Sequence, residues 1–231
     1  MTQLDGPRLG AKNAKAGGKV KQLVVLLHGY GADGKDLIAL GQQWQTLLPD
    51  AAFVAPNAPE PCGQAPMGRQ WFALTTRDPN ERWIGVNKAA PALDAFLDKE
   101  LASHGLGDDK LALVGFSQGT MMALHVGLRR RRPPAAIVGF SGTLVGPEHL
   151  AAIAPAKPPP VLLTHGSDDE VIPADAMFIA AEDLAQVGIP AQWHLSAGIG
   201  HGIDGTALTH AGLFLAKGFG VRPPAKPAVK R

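Results

Sequence analysis

The chain reads as an α/β protein: a single domain on a mostly parallel central sheet with helices on both faces. Two observations carry that reading. Short apolar runs alternate with segments whose apolar residues recur at three- and four-residue spacing, as strands alternating with helices do. Several runs are continuously apolar rather than alternating, the mark of strands covered on both sides.

The elements follow in order. Leu23–Leu27 and Ala51–Ala55 read as strands on either side of a helical stretch, Leu37–Leu48. Pro91–Leu101 has the next clear helical period, and Leu111–Phe116 is the strand after it. Gln118–Leu128 is helical, then the strands Ala136–Phe140 and Val161–Thr164 bracket a stretch without clear periodicity. Ala174–Val187 (helix), Gln192–Leu195 (strand) and Thr206–Lys217 (helix) complete the pattern. The connection from Pro56 to about Asn80 carries several Pro and Gly residues, yet also Met67, Trp71, Phe72 and Leu74. So long a connection is expected to fold over a site as a lid or wall. Residues 1–19 form a polar segment, 20–221 the domain, and 222–231 a basic, Pro-rich tail. Both ends are expected to be loosely held.

Composition removes several functions. With 22 basic and 20 acidic residues, the chain lacks the positive excess of a protein that neutralises a phosphate backbone, so no nucleic-acid partner is expected. Arg129–Arg132 reads as a solvated helix end, where cations complement the dipole. One cysteine, Cys62, makes neither an internal disulfide nor a thiolate zinc site. No run approaches the roughly 20 apolar residues of a spanning helix, and the first residues lack a signal-peptide pattern. A cytoplasmic location is therefore expected. The sequence leaves a homodimer open.

In an open parallel sheet, ligands sit beyond the carboxyl ends of the strands, so those loops hold the chemistry. After Leu111–Phe116 the chain reads Gly115-Phe-Ser-Gln-Gly119 and enters a helix, which is G-x-S-x-G between strand and helix. Ser117 is the candidate nucleophile. Glycines two residues either side remove Cβ atoms that a sharp turn would crowd. Ser141, followed by Gly142, lacks the paired glycines and the helix and is expected to be idle.

A serine hydroxyl needs a base, and the base needs an orienting carboxylate. Val161–Thr164 ends in His165-Gly-Ser-Asp-Asp-Glu170, where Asp168, Asp169 and Glu170 compete as the acid. The last strand runs into a loop with His201 between Gly200 and Gly202, the candidate base. His104, His125, His194 and His210 read as surface or core residues, and His28 and His165 as structural hydrogen-bonding residues beside the site. An oxyanion needs donors. The backbone N–H of Gln118 is one candidate, and that of Tyr30, in the Gly-rich loop after the first strand, is the other.

Together Leu27-His-Gly-Tyr-Gly31, Trp71-Phe72, Gly115-Phe-Ser-Gln-Gly119, His165-Gly-x-x-Asp169-x-x-Ile-Pro173 and Gly200-His-Gly202 resemble the carboxylesterase, phospholipase and acyl-protein thioesterase branch of the α/β-hydrolases. The similarity runs from about Leu23 to Lys217. It implies the α/β-hydrolase fold, singles out Asp169 as the acid, supports Tyr30 and Gln118 as oxyanion donors, and implies no metal or organic cofactor. Two departures stand out: Ala73 where many members have Asp after the Trp-Phe pair, and Tyr30 where many have Leu.

The expected activity is hydrolysis of short- to medium-chain acyl or aryl esters, small-molecule substrates, through an acyl-enzyme. Met67, Trp71, Phe72 and Leu74 are expected to form an apolar substrate wall. Cleavage of acyl-protein thioesters or lysophospholipids is the alternative with the same three residues. A dienelactone-type hydrolase would carry Cys at the position of Ser117, and a non-catalytic scaffold would have lost one of the three.

Overall fold

Gln22–Leu27 is apolar along almost its whole length because both of its faces are buried. Val24 and Leu26 point to one side of the sheet, Leu23, Val25 and Leu27 to the other. The computed structural model describes residues 3–76, 78–152 and 157–221. Its strands are β1 (Arg8–Leu9), β2 (Gln22–Leu27), β3 (Ala51–Val54), β4 (Glu60–Cys62), β5 (Ala65–Gln70), β6 (Leu111–Phe116), β7 (Ala136–Phe140), β8 (Val161–Gly166) and β9 (Ala191–Ser196). Its α-helices are α1 (Gly34–Trp44), α2 (Pro79–His104), α3 (Gln118–Gly127), α4 (Asp175–Gln186) and α5 (Gly205–Gly218). Seven strands form the central sheet in the order β1-β3-β2-β6-β7-β8-β9, and every neighbour is parallel except β1 against β3.

Leu37 and Trp44 of α1 and Phe214 and Leu215 of α5 cover one face, packing with Val24, Phe53, Val114 and Phe140. The other face carries Val86, Leu93 and Leu97 of α2, Met122 and Leu124 of α3, and Leu184 of α4. A fully buried Leu, Val or Phe contributes roughly 1.5–3 kcal/mol, against about 0–1 kcal/mol for an exposed ion pair. The two apolar layers therefore dominate, and they fix where the strand ends lie.

Three features depart from the sequence reading. The connection after β3 is not irregular: β4 and β5 pair as an antiparallel hairpin. Helix α2 starts at Pro79, well before Pro91, because Asp78 caps it by accepting the Asn80 N–H and proline suits the first turn. The N-terminal segment is held rather than loose. Leu4 and Ala11 are buried, Arg8 and Leu9 pair with Val54 and Phe53, and the Arg8 guanidinium meets the buried Glu100 at 2.7 Å. The tail, 222–231, lies outside the described residues. Among the described residues no helix is long and apolar enough to cross a membrane.

Candidate active site

Ser117 stands between β6 and α3 with φ 53° and ψ −114°, backbone angles that non-glycine residues rarely adopt. Its N–H is bonded to the Phe140 carbonyl at 2.9 Å. The flanking glycines are required by contact. A Cβ on Gly119 would overlap the Leu27 carbonyl, and one on Gly115 would overlap the backbone of Gly119. The spacing read in the sequence is thus the imprint of a turn pressed against β2 and against its own helix. Strain of this kind persists only where the surroundings over-determine it.

The three candidate carboxylates differ in what surrounds them. Asp169 is buried at the end of β8, and its Oδ1 accepts the N–H groups of Val171 and Ile172, both at 2.9 Å. Its Oδ2 lies 2.7 Å from Nδ1 of His201. Burial alone would raise the Asp169 pKa, but the bonds from Ile172, His201 and Val171 outweigh it and hold the carboxyl below its usual value. Asp168 instead accepts the Ser167 hydroxyl at the surface. With an ionised carboxylate at Nδ1, that nitrogen carries the hydrogen of neutral His201, leaving Nε2 as the basic atom. The His201 ring also rests on Phe116, centroids 4.9 Å apart.

The two structural histidines hold the frame. His165 places Nε2 2.8 Å from the Ile172 carbonyl and 3.1 Å from Asp169 Oδ2; both are acceptors, so this nitrogen is the protonated one. His28 is fully buried, its Nδ1 facing the Gly29 carbonyl at 2.8 Å while Nε2 accepts the Ala58 N–H at 3.0 Å. Burial pushes its pKa down, which suits a neutral ring with one donor and one acceptor.

Gln118 opens α3, where the first N–H groups have no partner inside the helix. Tyr30 lies in the loop after β2, which the hairpin clamps: Gly31 N–H meets the Arg69 carbonyl at 2.9 Å and Arg69 N–H meets the Ala32 carbonyl at 2.8 Å. Ser117, Tyr30 and His201 all line one cleft of about 500 Å³.

Of the four residues assigned to a substrate wall, only Leu74 lines that cleft. Met67 is 92% exposed on β5 and does not line it. Trp71 and Phe72 are buried in the core and held by the Gln118 side chain, whose Oε1 accepts the Trp71 N–H at 2.9 Å and whose Nε2 donates to the Phe72 carbonyl at 2.8 Å. They brace the nucleophile turn. Met121, Val171 and Ile172 supply the apolar wall instead. The sequence reading missed them because α3 and the turn after Asp169 show no local sign of facing a cleft.

Ser141 is not idle. It is buried, adopts φ 46°, and donates its hydroxyl to the Gly202 carbonyl at 3.3 Å, bracing the loop that carries His201. The positive φ at the end of β7 echoes that of Ser117 one strand away, a signal absent from residue types alone. Among the described residues no group of three or more His, Cys, Asp or Glu side chains could hold a metal.

Comparison with known proteins agrees with this fold. Residues 11–218 match the phospholipase/carboxylesterase family. Esterase YpfH of Escherichia coli strain K12 is 28% identical over 191 residues, covering 83% of this chain and 80% of that protein. Acyl-protein thioesterase 1 of Gibberella zeae is 26% identical over 210 residues, covering 84% and 89%. The crystal structure of esterase PE8 superposes with a TM-score of 0.87 at 49% identity, over 93% of this chain and 99% of that one. With a family match along almost the whole domain and the sheet and serine turn described above, the chain belongs to the phospholipase/carboxylesterase family of α/β-hydrolases.

Proposed function

We propose that the chain is a serine carboxylesterase acting on short- to medium-chain acyl or aryl esters, small molecules, in the cytoplasm. The observation that carries the reading is the convergence of Ser117 and His201 on one cleft while Asp169 occupies Nδ1 of the histidine. His201 Nε2 takes the hydroxyl proton of Ser117 as its oxygen attacks the ester carbonyl. The N–H groups of Tyr30 and Gln118 receive the oxyanion, with the dipole of α3 adding to them. The alcohol leaves with the proton from His201. Water, deprotonated by the same nitrogen, then cleaves the acyl-enzyme and restores Ser117. Asp169 fixes the tautomer throughout and stabilises the imidazolium.

The apolar wall of Leu74, Met121, Val171 and Ile172, together with the modest cleft, supports small acyl groups. Ser117→Ala tests the assignment: turnover of 4-nitrophenyl butyrate falls by several orders of magnitude with the fold intact, and a fluorophosphonate probe no longer labels the protein. Unchanged turnover in that variant refutes it. Relatives named acyl-protein thioesterase give the second reading its support. A thioester and an oxygen ester of the same acyl chain, assayed side by side, separate the two.

A further inference from the structure

Among the described residues, one cation besides His201 lines the Ser117 cleft: Arg82, in the first turn of α2. The other described residues of the wall are neutral, including Gln64, Thr75 and Thr76. Arg82 also borders an adjoining cavity of about 680 Å³ and so stands where the two meet. Its Nε is enclosed and has no hydrogen-bond partner, and among the described residues no carboxylate lies within 4 Å of its side chain.

Arg129 also has an enclosed guanidinium nitrogen without a partner, but it lies over the Trp83 ring and does not line the cleft, and three other arginines are engaged by protein groups. Arg8 meets Glu100, Arg130 meets Asp94, Asp98 and Asp108, and Arg69 donates to the carbonyls of Ala58 and Pro59. Glu81, beside Arg82 in sequence, is bound by the N–H and hydroxyl groups of Thr75 and Thr76. A guanidinium on the wall of the serine cleft with no carboxylate partner is suited to an anion, and its planar fork matches a carboxylate. The adjoining cavity is lined by Asp78, Glu148 and Asp183, which repel an anion. An anion is therefore favoured on the Ser117 side of Arg82 over the adjoining cavity.

We propose that Arg82 is a specificity-determining residue that binds a carboxylate carried by the ester substrate, so that hemiesters of short dicarboxylic acids are favoured over neutral esters. This rests on the esterase reading above. The test compares kcat/KM for ethyl hydrogen glutarate and for ethyl pentanoate, esters of equal acyl length, by titration of released acid at fixed pH. The wild type favours the glutarate hemiester, and 0.5 M salt lowers the preference. Arg82→Gln lowers the hemiester-to-pentanoate ratio at least tenfold, and Arg82→Lys falls between. Effects common to both esters cancel in the ratio. Should Arg82→Gln not fold, Arg82→Lys and the salt dependence read the same quantity. A wild type that prefers ethyl pentanoate, or a ratio unchanged by both variants and by salt, overturns the assignment of Arg82 alone. Turnover of neither ester overturns the esterase reading itself.

Discussion

Asp169→Asn separates the two oxygens that do different work in the candidate site. In the wild type, Oδ1 faces two backbone donors, Val171 and Ile172 at 2.9 Å, and Oδ2 faces His201 Nδ1 at 2.7 Å. An asparagine has one acceptor end. Turning its oxygen toward His201 aims its NH₂ at both backbone N–H groups and leaves them unmatched, at about 1–3 kcal/mol each. Turning the NH₂ toward His201 keeps both backbone bonds and forces Nδ1 to accept, which moves the ring hydrogen to Nε2 and removes the base. The second arrangement therefore wins by about 2–6 kcal/mol, which at 1.36 kcal/mol per decade is a loss of about 30-fold to 10⁴-fold in kcat. His165 does not rescue it, because its Nε2–H still has the Ile172 carbonyl. The assay is 4-nitrophenyl butyrate hydrolysis at neutral pH, with circular dichroism to check the fold. Asp168→Asn, altering an exposed residue that only accepts the Ser167 hydroxyl, stays within about twofold of the wild type. A folded Asp169→Asn enzyme within threefold of the parent, or a collapse in Asp168→Asn instead, refutes the reasoning.

Three further outcomes are expected. Gln118→Ala keeps the backbone N–H but strands the buried Trp71 N–H and Phe72 carbonyl, lowering stability in urea unfolding by about 2 kcal/mol or more. Met67→Ala, at a side chain 92% exposed outside the cleft, leaves kcat/KM for any ester within about twofold. His125 is held neutral by burial, with the Arg129 charge adding to it, its pKa lowered from 6.5 to about 3. Above pH 6.5 neither folded nor unfolded chain protonates it. Below that pH only the unfolded chain does, so stability falls as pH drops from about 6.5 toward 3. His125→Gln makes that fall shallower in urea midpoints between pH 6 and 4, and an unchanged slope counts against the assignment.

Strands β2, β3, β6, β7 and β8 were legible because both faces of the sheet are covered there, which writes continuous apolar runs into the chain. Elements whose signal is local and weak were not. Strand β1 is two residues long, the β4–β5 hairpin carries Pro61, Gly63, Pro66 and Gly68, and the start of α2 was hidden behind Pro91. At the site, Ser117 could be read from its flanking glycines, since close backbone approach leaves a mark in residue type, whereas Gly200 and Gly202 beside His201 meet no such crowding. Position in the loop did not decide among Asp168, Asp169 and Glu170, and only the resemblance singled out Asp169; the physical choice lies in the fold. It depends on which carboxylate the Val171 and Ile172 N–H groups reach, and on a histidine 32 positions away. Trp71 and Phe72 were misassigned for the same reason. An apolar side chain in a connection does not say whether it faces a ligand or a core, and their partner is the side chain of Gln118, more than forty residues on.

That partner explains why the two oxyanion donors proposed here, from distant parts of the chain, can act as one device. The Gln118 side chain fixes Trp71 and Phe72, and Trp71 Nε1 donates to the His28 carbonyl at 3.0 Å, two residues before Tyr30. His28 in turn accepts the Ala58 N–H, and Arg69 anchors the hairpin to the Ala58 and Pro59 carbonyls while bonding through its backbone to Gly31 and Ala32. The loop bearing Tyr30 is thus tied at both ends to a network that begins at the residue after the serine. Donors that are already fixed before charge develops need not reorganise when it does, which is what makes such groups effective. A residue whose backbone faces the reaction and whose side chain faces the frame joins the two requirements in one position. Its side chain is therefore as much a part of the site as its N–H.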